Sequence, residues 1–270
     1  MAAKVTRFWD SLLVMGRLKD IYHRSVPAGV RFPIGRLRRT LMDQGLRLSG
    51  KHGPLPPRHV LKKVQMTPWA MEYLEVGRRS AETIRRVLAE AGVRAEASHK
   101  VLDFGCGLAR TLRHLTSTAW DLWGSDVDED SVVWSQRAVP EVQFEANGVD
   151  PPLPFDSEFF DAVYAISVFT HFSTDHQHRW AEELARVLRP GGIAVVTTMG
   201  PWAFDPLPPE AQAPLPGFWF VPVSGAFNNS AAIHTEDGLE HFFHPDFEKE
   251  SWTRGGLDGF QDLGVFRRRS

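Results

Sequence analysis

The chain has 270 residues, 43% of them hydrophobic and 24% charged, with a formal net charge of −2 and one cysteine. A chain of this length and composition can bury one sizeable core, and a lone cysteine excludes both an internal disulfide and a cysteine-based metal cluster. No stretch approaches the roughly 18 consecutive apolar residues of a membrane-spanning helix, so we expect a cytoplasmic protein without a transmembrane segment.

The N-terminal part of the chain is strongly basic. Residues 1–63 hold 14 Lys and Arg against three acidic residues, so this segment carries +11 and the remainder −13. We predict that residues 1–67 form a partly helical extension that serves as a lid or binds a partner, such as an acidic carrier protein or a phosphorylated carrier lipid. A solvated extension without a partner explains the composition equally well.

The remainder of the chain has a pattern of alternating helices and strands. One helix begins at Pro68 and ends near Gly92. Another begins at Thr174, where Thr174 and Gln177 form a predicted capping box, and it runs to Leu188. Strands are predicted at residues 100–104, 121–125, 142–145, 160–166 and 193–199, with a closing hairpin at 247–254 and 260–266. Strands that alternate with helices favour a parallel sheet.

The first strand ends in the sequence VLDFGCGLAR, from Val101 to Arg110. Glycine at 105 and 107 removes the Cβ atoms that would hold a ligand away, and it opens backbone conformations closed to other residues. Asp126 follows the second strand, 21 positions beyond Gly105. Nucleoside-binding folds place a carboxylate on the ribose hydroxyls at about this offset. The spacing therefore predicts a nucleoside site at the carboxyl ends of these strands.

Four segments extend this pattern, namely VLDFGCG, GSDVDED, PPLPFDSEFFDAVYAISVFTHF and ELARVLRPGG. In this order and spacing they resemble the class I S-adenosylmethionine-dependent methyltransferases, in particular bacterial members that act on small molecules or glycans. The resemblance implies an α/β, Rossmann-like fold with helices on both faces of a mostly parallel seven-stranded sheet that ends in an antiparallel C-terminal hairpin. Residues 68–270 would form this domain, with a substrate-loop insertion at 200–230 that is rich in proline and aromatic residues.

The same resemblance implies a set of residues around S-adenosyl-L-methionine. Asp103, Gly105 and Gly107 would contact its methionine part, Asp126 its ribose and Val127 its adenine. The other residues of the predicted cofactor site are Tyr73, Gly77, Arg78, Cys106, Arg110, Asn147, Gly148, Ile166 and Ser167. For those from the preceding helix, and for Cys106 and Arg110, ordinary packing or surface roles remain as alternatives.

Candidate catalytic residues follow the fourth strand, because open parallel sheets bind ligands at the carboxyl ends of their strands. We predict His171 as the proton acceptor or as an acceptor-orienting residue, since imidazole titrates near neutrality. A cofactor contact or a helix cap is an equal alternative for His171. Asp175, His176 and His234 are weaker candidates. No histidine pair fits a metal pattern, and we predict no metal.

Aromatic side chains are concentrated in the predicted insertion. Long loops at the ligand edge of a sheet often bind substrate, and flat apolar rings suit a sugar face or an acyl chain. The predicted acceptor-binding residues are Trp202, Phe204, Trp219 and Phe220. The alternative is that these rings only fasten the loop to the core.

These patterns predict transfer of a methyl group from S-adenosyl-L-methionine to a hydroxyl, and less readily an amine, of a small molecule, natural product or sugar-containing acceptor. The other product is S-adenosyl-L-homocysteine. A nucleotide-dependent oxidoreductase and a catalytically silent binding or scaffold protein are the alternatives. Oxidoreductases normally have Gly-x-Gly-x-x-Gly, whereas residue 110 is arginine. Ala109 stands where the methyltransferases commonly have a third glycine, and we expect it to open a helix without loss of cofactor binding. No nucleic-acid partner is indicated.

Overall fold

The computed structural model describes residues 28–65, 67–204, 207–222 and 230–270, without the side chains of 28–36 and 63–65. The chain divides into two compact units. Among the described residues, 28–55 and 69–71 fall in one unit, and 56–65, 67–68, 72–204, 207–222 and 230–270 fall in the other. The first 27 residues of the predicted basic extension lie outside the described ranges.

The described part of the extension is largely helical, and six helices occur in the described ranges. None of them is long and apolar enough to span a membrane. In the first unit the Asp43 carboxylate accepts a hydrogen bond from the Ala70 amide at 2.7 Å and pairs with Arg47 at 2.9 Å. The helices are α1 (Ala28–Leu48), α2 (Arg58–Gln65), α3 (Ala70–Glu90), α4 (Glu129–Ala138), α5 (Thr174–Val187) and α6 (Glu236–Phe243).

The second unit is built on a seven-stranded sheet with the strand order β3-β2-β1-β4-β5-β10-β9. The first five strands are parallel, and β10 is antiparallel to both β5 and β9. The strands of this sheet are β1 (Lys100–Phe104), β2 (Asp121–Asp126), β3 (Gln143–Ala146), β4 (Phe160–Ala165), β5 (Leu188–Thr198), β9 (Phe247–Leu257) and β10 (Gln261–Arg268). The predicted Rossmann-like methyltransferase fold is thereby confirmed.

Both faces of the sheet are covered by apolar side chains. Val101 and Leu102 are adjacent in β1 and both fully buried, yet they belong to different core clusters. Ile84 of α3 packs in the cluster of Val101, whereas Trp180 of α5 packs in that of Leu102. Central parallel strands are buried on both faces, which explains why their sequences are continuously apolar.

The start of α5 differs from the predicted capping box. Ser173 is the N-cap, with extended backbone dihedrals, and its hydroxyl accepts from the His176 amide at 3.5 Å. The Gln177 side chain instead donates to the main-chain oxygens of Phe169 and Phe172, at 2.9 and 3.2 Å. The predicted cap was therefore wrong by one residue, because buried Gln177 bonds to the main chain of the preceding turn and not to the start of the helix.

The predicted insertion contains regular structure where it is described. A second, three-stranded antiparallel sheet has the order β6-β7-β8. Its strands are β6 (Gln212–Leu215), β7 (Phe218–Val221) and β8 (Ala231–His234), and the Met199 position after β5 pairs with Ile233 of β8. This pairing attaches the second sheet to the carboxyl end of β5.

Candidate active site

The turn after β1 depends on left-handed backbone conformations. Gly105 and Gly107 have φ angles of 77° and 51°, and Ala109 has 52°. The amides of Gly105 and Cys106 both donate to the Ser125 oxygen of β2, at 2.8 and 3.0 Å. Ala109 therefore does not open an α-helix as expected; it occupies a conformation that favours glycine, within a run of turns.

A side chain at position 105 would collide with the turn after β4. A Cβ atom on Gly105 would lie 2.3 Å from Cγ2 of Val168. Real Cβ atoms do not approach a neighbour that closely, so glycine is what lets the turns after β1 and β4 pack together. The two turns that the sequence assigned to cofactor and acceptor are thus in direct contact.

Asp126 closes the turn from the end of β2. Its carboxylate accepts from the Gly107 amide at 2.7 Å and from the Asp128 amide at 2.9 Å. Burial raises the pKa of Asp126, and these two amides oppose the shift. Each oxygen of an ionised carboxylate has a second lone pair, so Asp126 can still accept from both hydroxyls of a ribose. The neighbouring Val127 side chain is 47% exposed and free for a ring to cover.

Asp103 is a buried carboxyl group at the carboxyl end of β1. It lies in register with Tyr164 of β4, and only 3% of it is exposed. Burial raises the pKa of Asp103 to about 8; the Tyr164 hydroxyl and Arg110 oppose the shift, while Asp126 adds to it. The group therefore titrates near neutrality in the free protein.

Arg110 places a positive charge beside this carboxyl group. Burial lowers the pKa of its guanidinium, although Tyr73, Asp103 and Asp258 favour the charged form. Within the described residues the Arg110 side chain donates no hydrogen bond. A half-buried guanidinium with free donors fits a carboxylate ligand, and Asp103 fits an ammonium. The pair therefore suits the amino acid end of S-adenosyl-L-methionine.

Two of the three predicted residues of α3 reach the turn. The Tyr73 hydroxyl donates to the Leu108 oxygen at 2.6 Å, and burial raises the Tyr73 pKa. A Cβ atom on Gly77 would lie 2.1 Å from the Arg110 oxygen, so glycine permits the helix to approach. Arg78 instead pairs with Glu75 and Glu82 on the exposed face of α3. The structure thus does not bring Arg78 to the site.

Other predicted cofactor residues have local partners. The Asn147 amide donates to the main-chain oxygen of Asp126 at 3.0 Å, and its side chain donates to Gly148 at 2.7 Å. Cys106 is buried, and burial raises the pKa of its thiol well above the usual value. Ile166 is half-buried against the core. These residues surround the turn, and their contact with a cofactor stays a prediction.

The weaker catalytic candidates are held in other contacts. His176 and Arg179 lie 3.2 and 2.8 Å from the Asp150 carboxylate, and Arg179 also pairs with Asp175. His234 is fully buried, with its ring 5.0 Å from that of Phe218. Burial lowers the pKa of His234 to about 3, so its ring is neutral. Within the described residues its ring nitrogens have no hydrogen-bond partner.

Trp202 is fixed at the carboxyl edge of the sheet. Its indole N–H donates to Asp262 of β10 at 2.8 Å, and the Arg254 guanidinium lies 5.0 Å from its ring centre. A Cβ atom on Gly200 would lie 2.3 Å from the Asp262 carboxylate, so glycine is needed for this contact. Phe204 follows in the same 3₁₀ turn region, while Trp219 and Phe220 lie in β7. All four rings are half-buried.

Several polar residues at this edge were not predicted. Tyr164, Ser230, Gln261 and Asp262 all contact predicted site residues. Tyr164 could have been found from its place, because it carries a hydroxyl near the carboxyl end of an otherwise apolar stretch of the strand beside β1. No group of three or more potential metal ligands is found among the residues that the structure describes.

Comparison with known proteins identifies a methyltransferase domain at residues 102–196. A tRNA (carboxymethyluridine(34)-5-O)-methyltransferase of Arabidopsis thaliana is 35% identical over 106 residues, 39% of this chain and 24% of the relative. A fatty-acid O-methyltransferase of Mycolicibacterium smegmatis is 31% identical over 139 residues, 47% of this chain and 46% of the relative. The solved structure of CalS10, an amino pentose methyltransferase from Micromonospora echinaspora, is similar with a TM-score of 0.51 and 17% identity, over 71% of this chain and 91% of that one.

Residues 102–196 thus match a methyltransferase domain, and the sheet around them has the Rossmann-like methyltransferase fold. Three observations agree on this, namely the matched domain, the strand order of the sheet and the glycine turn that is bonded to Asp126. The aligned part of the chain spans less than half the length of the curated relatives described above.

Gly77→Ala should separate α3 from the turn. The added methyl group would meet a main-chain oxygen of Arg110, so we expect a loss of about 1–3 kcal/mol in the free energy of unfolding, measured by urea denaturation. Gly45→Ala is the matched control, because its Cβ would meet nothing within 4 Å in α1. A Gly77→Ala protein as stable as the control variant would contradict the close packing.

Asp103→Asn should change how stability depends on pH. Because the pKa of Asp103 is raised from 3.8 to about 8 on folding, the native state holds a proton that the unfolded state has lost. Between these values stability falls as pH rises, by up to about 1.4 kcal/mol per pH unit from this group. Urea denaturation across this range should show a shallower decline for Asp103→Asn. The same dependence of stability on pH in the wild-type and Asp103→Asn proteins would contradict the raised pKa of Asp103.

Proposed function

We propose that this protein is an S-adenosylmethionine-dependent O-methyltransferase that acts on a small molecule, natural product or sugar-containing acceptor. The observation that carries the proposal is the arrangement around the glycine turn, where Asp126 accepts from the Gly107 amide and Asp103 interacts with Arg110. In this proposal Asp126 would contact the ribose, and Asp103 and Arg110 would contact the amino acid end. When bound, S-adenosyl-L-methionine supplies an electrophilic methyl group on a sulfonium.

The relatives support the acceptor class. By their names, one similar protein methylates an oxygen of a fatty acid and another methylates an amino pentose. A third acts on a tRNA uridine, but it is matched over only 24% of its length. A hydroxyl acceptor is favoured over an amine because His171, in the 3₁₀ turn that follows β4, could remove a hydroxyl proton.

The chain contributes mainly alignment to the reaction. The turns after β1 and β4 touch through Gly105 and Val168, and this contact would hold a cofactor on one turn at a fixed distance from an acceptor on the other. Alignment of this kind is worth about 7 kcal/mol or more in intramolecular reactions, whereas a positioned base adds about 10²- to 10⁴-fold in rate. Trp202, Phe204, Trp219 and Phe220 would then supply the apolar walls for the acceptor.

The basic extension suits a role in acceptor capture. We infer that residues 68–270 carry the catalysis, while residues 1–67 act as a lid or bind an acidic carrier protein or a phosphorylated carrier lipid. The supporting observation is the charge of +11 on residues 1–63.

Asp126→Asn should weaken the binding of S-adenosyl-L-homocysteine by about 10- to 100-fold, because charge-assisted hydrogen bonds contribute about 1.5–3 kcal/mol. Isothermal titration calorimetry would measure this. Asp130→Asn is the matched control, since Asp130 lies exposed in the first turn of α4. If the two variants bound S-adenosyl-L-homocysteine with equal affinity, Asp126 would not be a cofactor-binding residue. Binding of NADH instead of S-adenosyl-L-homocysteine would favour the oxidoreductase alternative.

A further inference from the structure

His171 lies where the turn after β4 meets the second sheet. It ends the 3₁₀ turn that follows β4, and its Nδ1 atom is 2.9 Å from the main-chain oxygen of Ser230. Ser230 directly precedes β8 of the second sheet. The ring is therefore attached to the inserted segment that carries the predicted acceptor-binding aromatic residues.

We propose that the Ser230 carbonyl holds His171 in the tautomer that leaves Nε2 as the proton acceptor, and that Gln261 is a positioning residue for this imidazole. The proposal deepens the proposed function and rests on it for the identity of the reaction. It assigns roles to Ser230 and Gln261 that the sequence does not indicate.

The tautomer follows from the chemistry of the contact. A carbonyl oxygen can only accept a hydrogen bond, so the Nδ1 atom of His171 must carry the proton. In a neutral imidazole the other nitrogen, Nε2, then has a free lone pair. Within the described residues nothing donates to His171 Nε2, and this atom is not among the fully buried ones. The imidazole therefore has its basic nitrogen available for an acceptor hydroxyl.

Gln261 holds the start of the same turn from β10. Its Nε2 donates to the Ser167 hydroxyl at 2.7 Å, and its Oε1 accepts from the Thr197 hydroxyl at 2.7 Å. The Ser167 amide in turn donates to Thr197 at 2.9 Å. Ser167 has a φ of 62°, a left-handed conformation that is unfavourable for a residue with a side chain. These bonds offset that strain and fix where the turn begins.

The rest of the turn transmits this position to His171. The Thr170 hydroxyl donates to the Ser167 oxygen at 2.7 Å, and the His171 amide donates to the Val168 oxygen at 3.0 Å. Gln177 of α5 holds the Phe169 oxygen from the other side. Gln261 is only 7% exposed, and its side-chain amide bonds to Ser167 and Thr197 and not to an acceptor.

The step that this arrangement serves is a simple displacement. The acceptor oxygen forms a bond to the methyl carbon while the carbon–sulfur bond breaks, and the acceptor hydroxyl proton moves to Nε2 of His171. The products are a methyl ether or ester, S-adenosyl-L-homocysteine and an imidazolium that returns its proton to solvent.

The tautomer can be measured without knowledge of the acceptor. In protein labelled with ¹⁵N-histidine, long-range ¹H–¹⁵N spectra distinguish a protonated from an unprotonated ring nitrogen, and His171→Asn assigns the signals. We expect a protonated Nδ1 and an unprotonated Nε2 at a pH where the ring is neutral. The opposite tautomer in the folded protein would overturn the proposal.

Gln261→Ala tests the positioning role. We expect its His171 nitrogen signals to move toward the averaged values of a ring that exchanges between tautomers. Gln136→Ala is the matched control, because Gln136 makes one side-chain bond, to Phe144 at 3.1 Å, away from this turn. Unchanged His171 signals in a folded Gln261→Ala protein would refute the role of Gln261.

His171→Asn tests the proton transfer itself. Asparagine can keep an N–H group near the Ser230 oxygen but has no atom in the place of Nε2. With an acceptor that the wild-type protein methylates, we expect kcat to fall about 10²-fold or more while calorimetric affinity for S-adenosyl-L-homocysteine is retained. Wild-type kcat in this variant would contradict the proposal. Absent S-adenosyl-L-homocysteine binding in the wild type would instead refute the proposed function.

Discussion

The hydrogen bond from the Gly107 amide to the Asp126 carboxylate is the contact on which the site depends. It joins the turn after β1 to the end of β2, and it requires left-handed backbone at Gly105 and Gly107. The same turn accepts Val168 of the neighbouring strand end where a Cβ atom would otherwise lie. One short glycine segment therefore fixes both the Asp126 carboxylate and the turn after β4, where we propose that the ribose and the acceptor bind.

The charged forms of Asp103 and Arg110 reduce the stability of the protein without a ligand. Asp103 is buried and Arg110 is half-buried, and burial opposes the charged form of each. Desolvated charges reduce stability unless a partner compensates them. A bound amino acid group, with its ammonium and carboxylate, would supply both partners. This arrangement is typical of sites in which binding rather than folding is optimised.

The sequence was sufficient for the main sheet because its strands are short apolar runs that end in recognisable turns. The sequence was insufficient where contacts between separate segments determine which bonds a side chain or strand makes. Gln261 lies 94 positions from Ser167 and bonds to it, and no local pattern encodes that pair. Gln177 was interpreted as a cap but holds Phe169. The second sheet was missed because cross-strand pairing, rather than its proline-rich sequence, defines it.

The most direct test of this account is a crystal structure of the protein with S-adenosyl-L-homocysteine. We predict both ribose hydroxyls within hydrogen-bond distance of the Asp126 carboxylate, with the amino acid carboxylate on Arg110 and the ammonium on Asp103. A ligand bound elsewhere, or bound with its ribose away from Asp126, would contradict it.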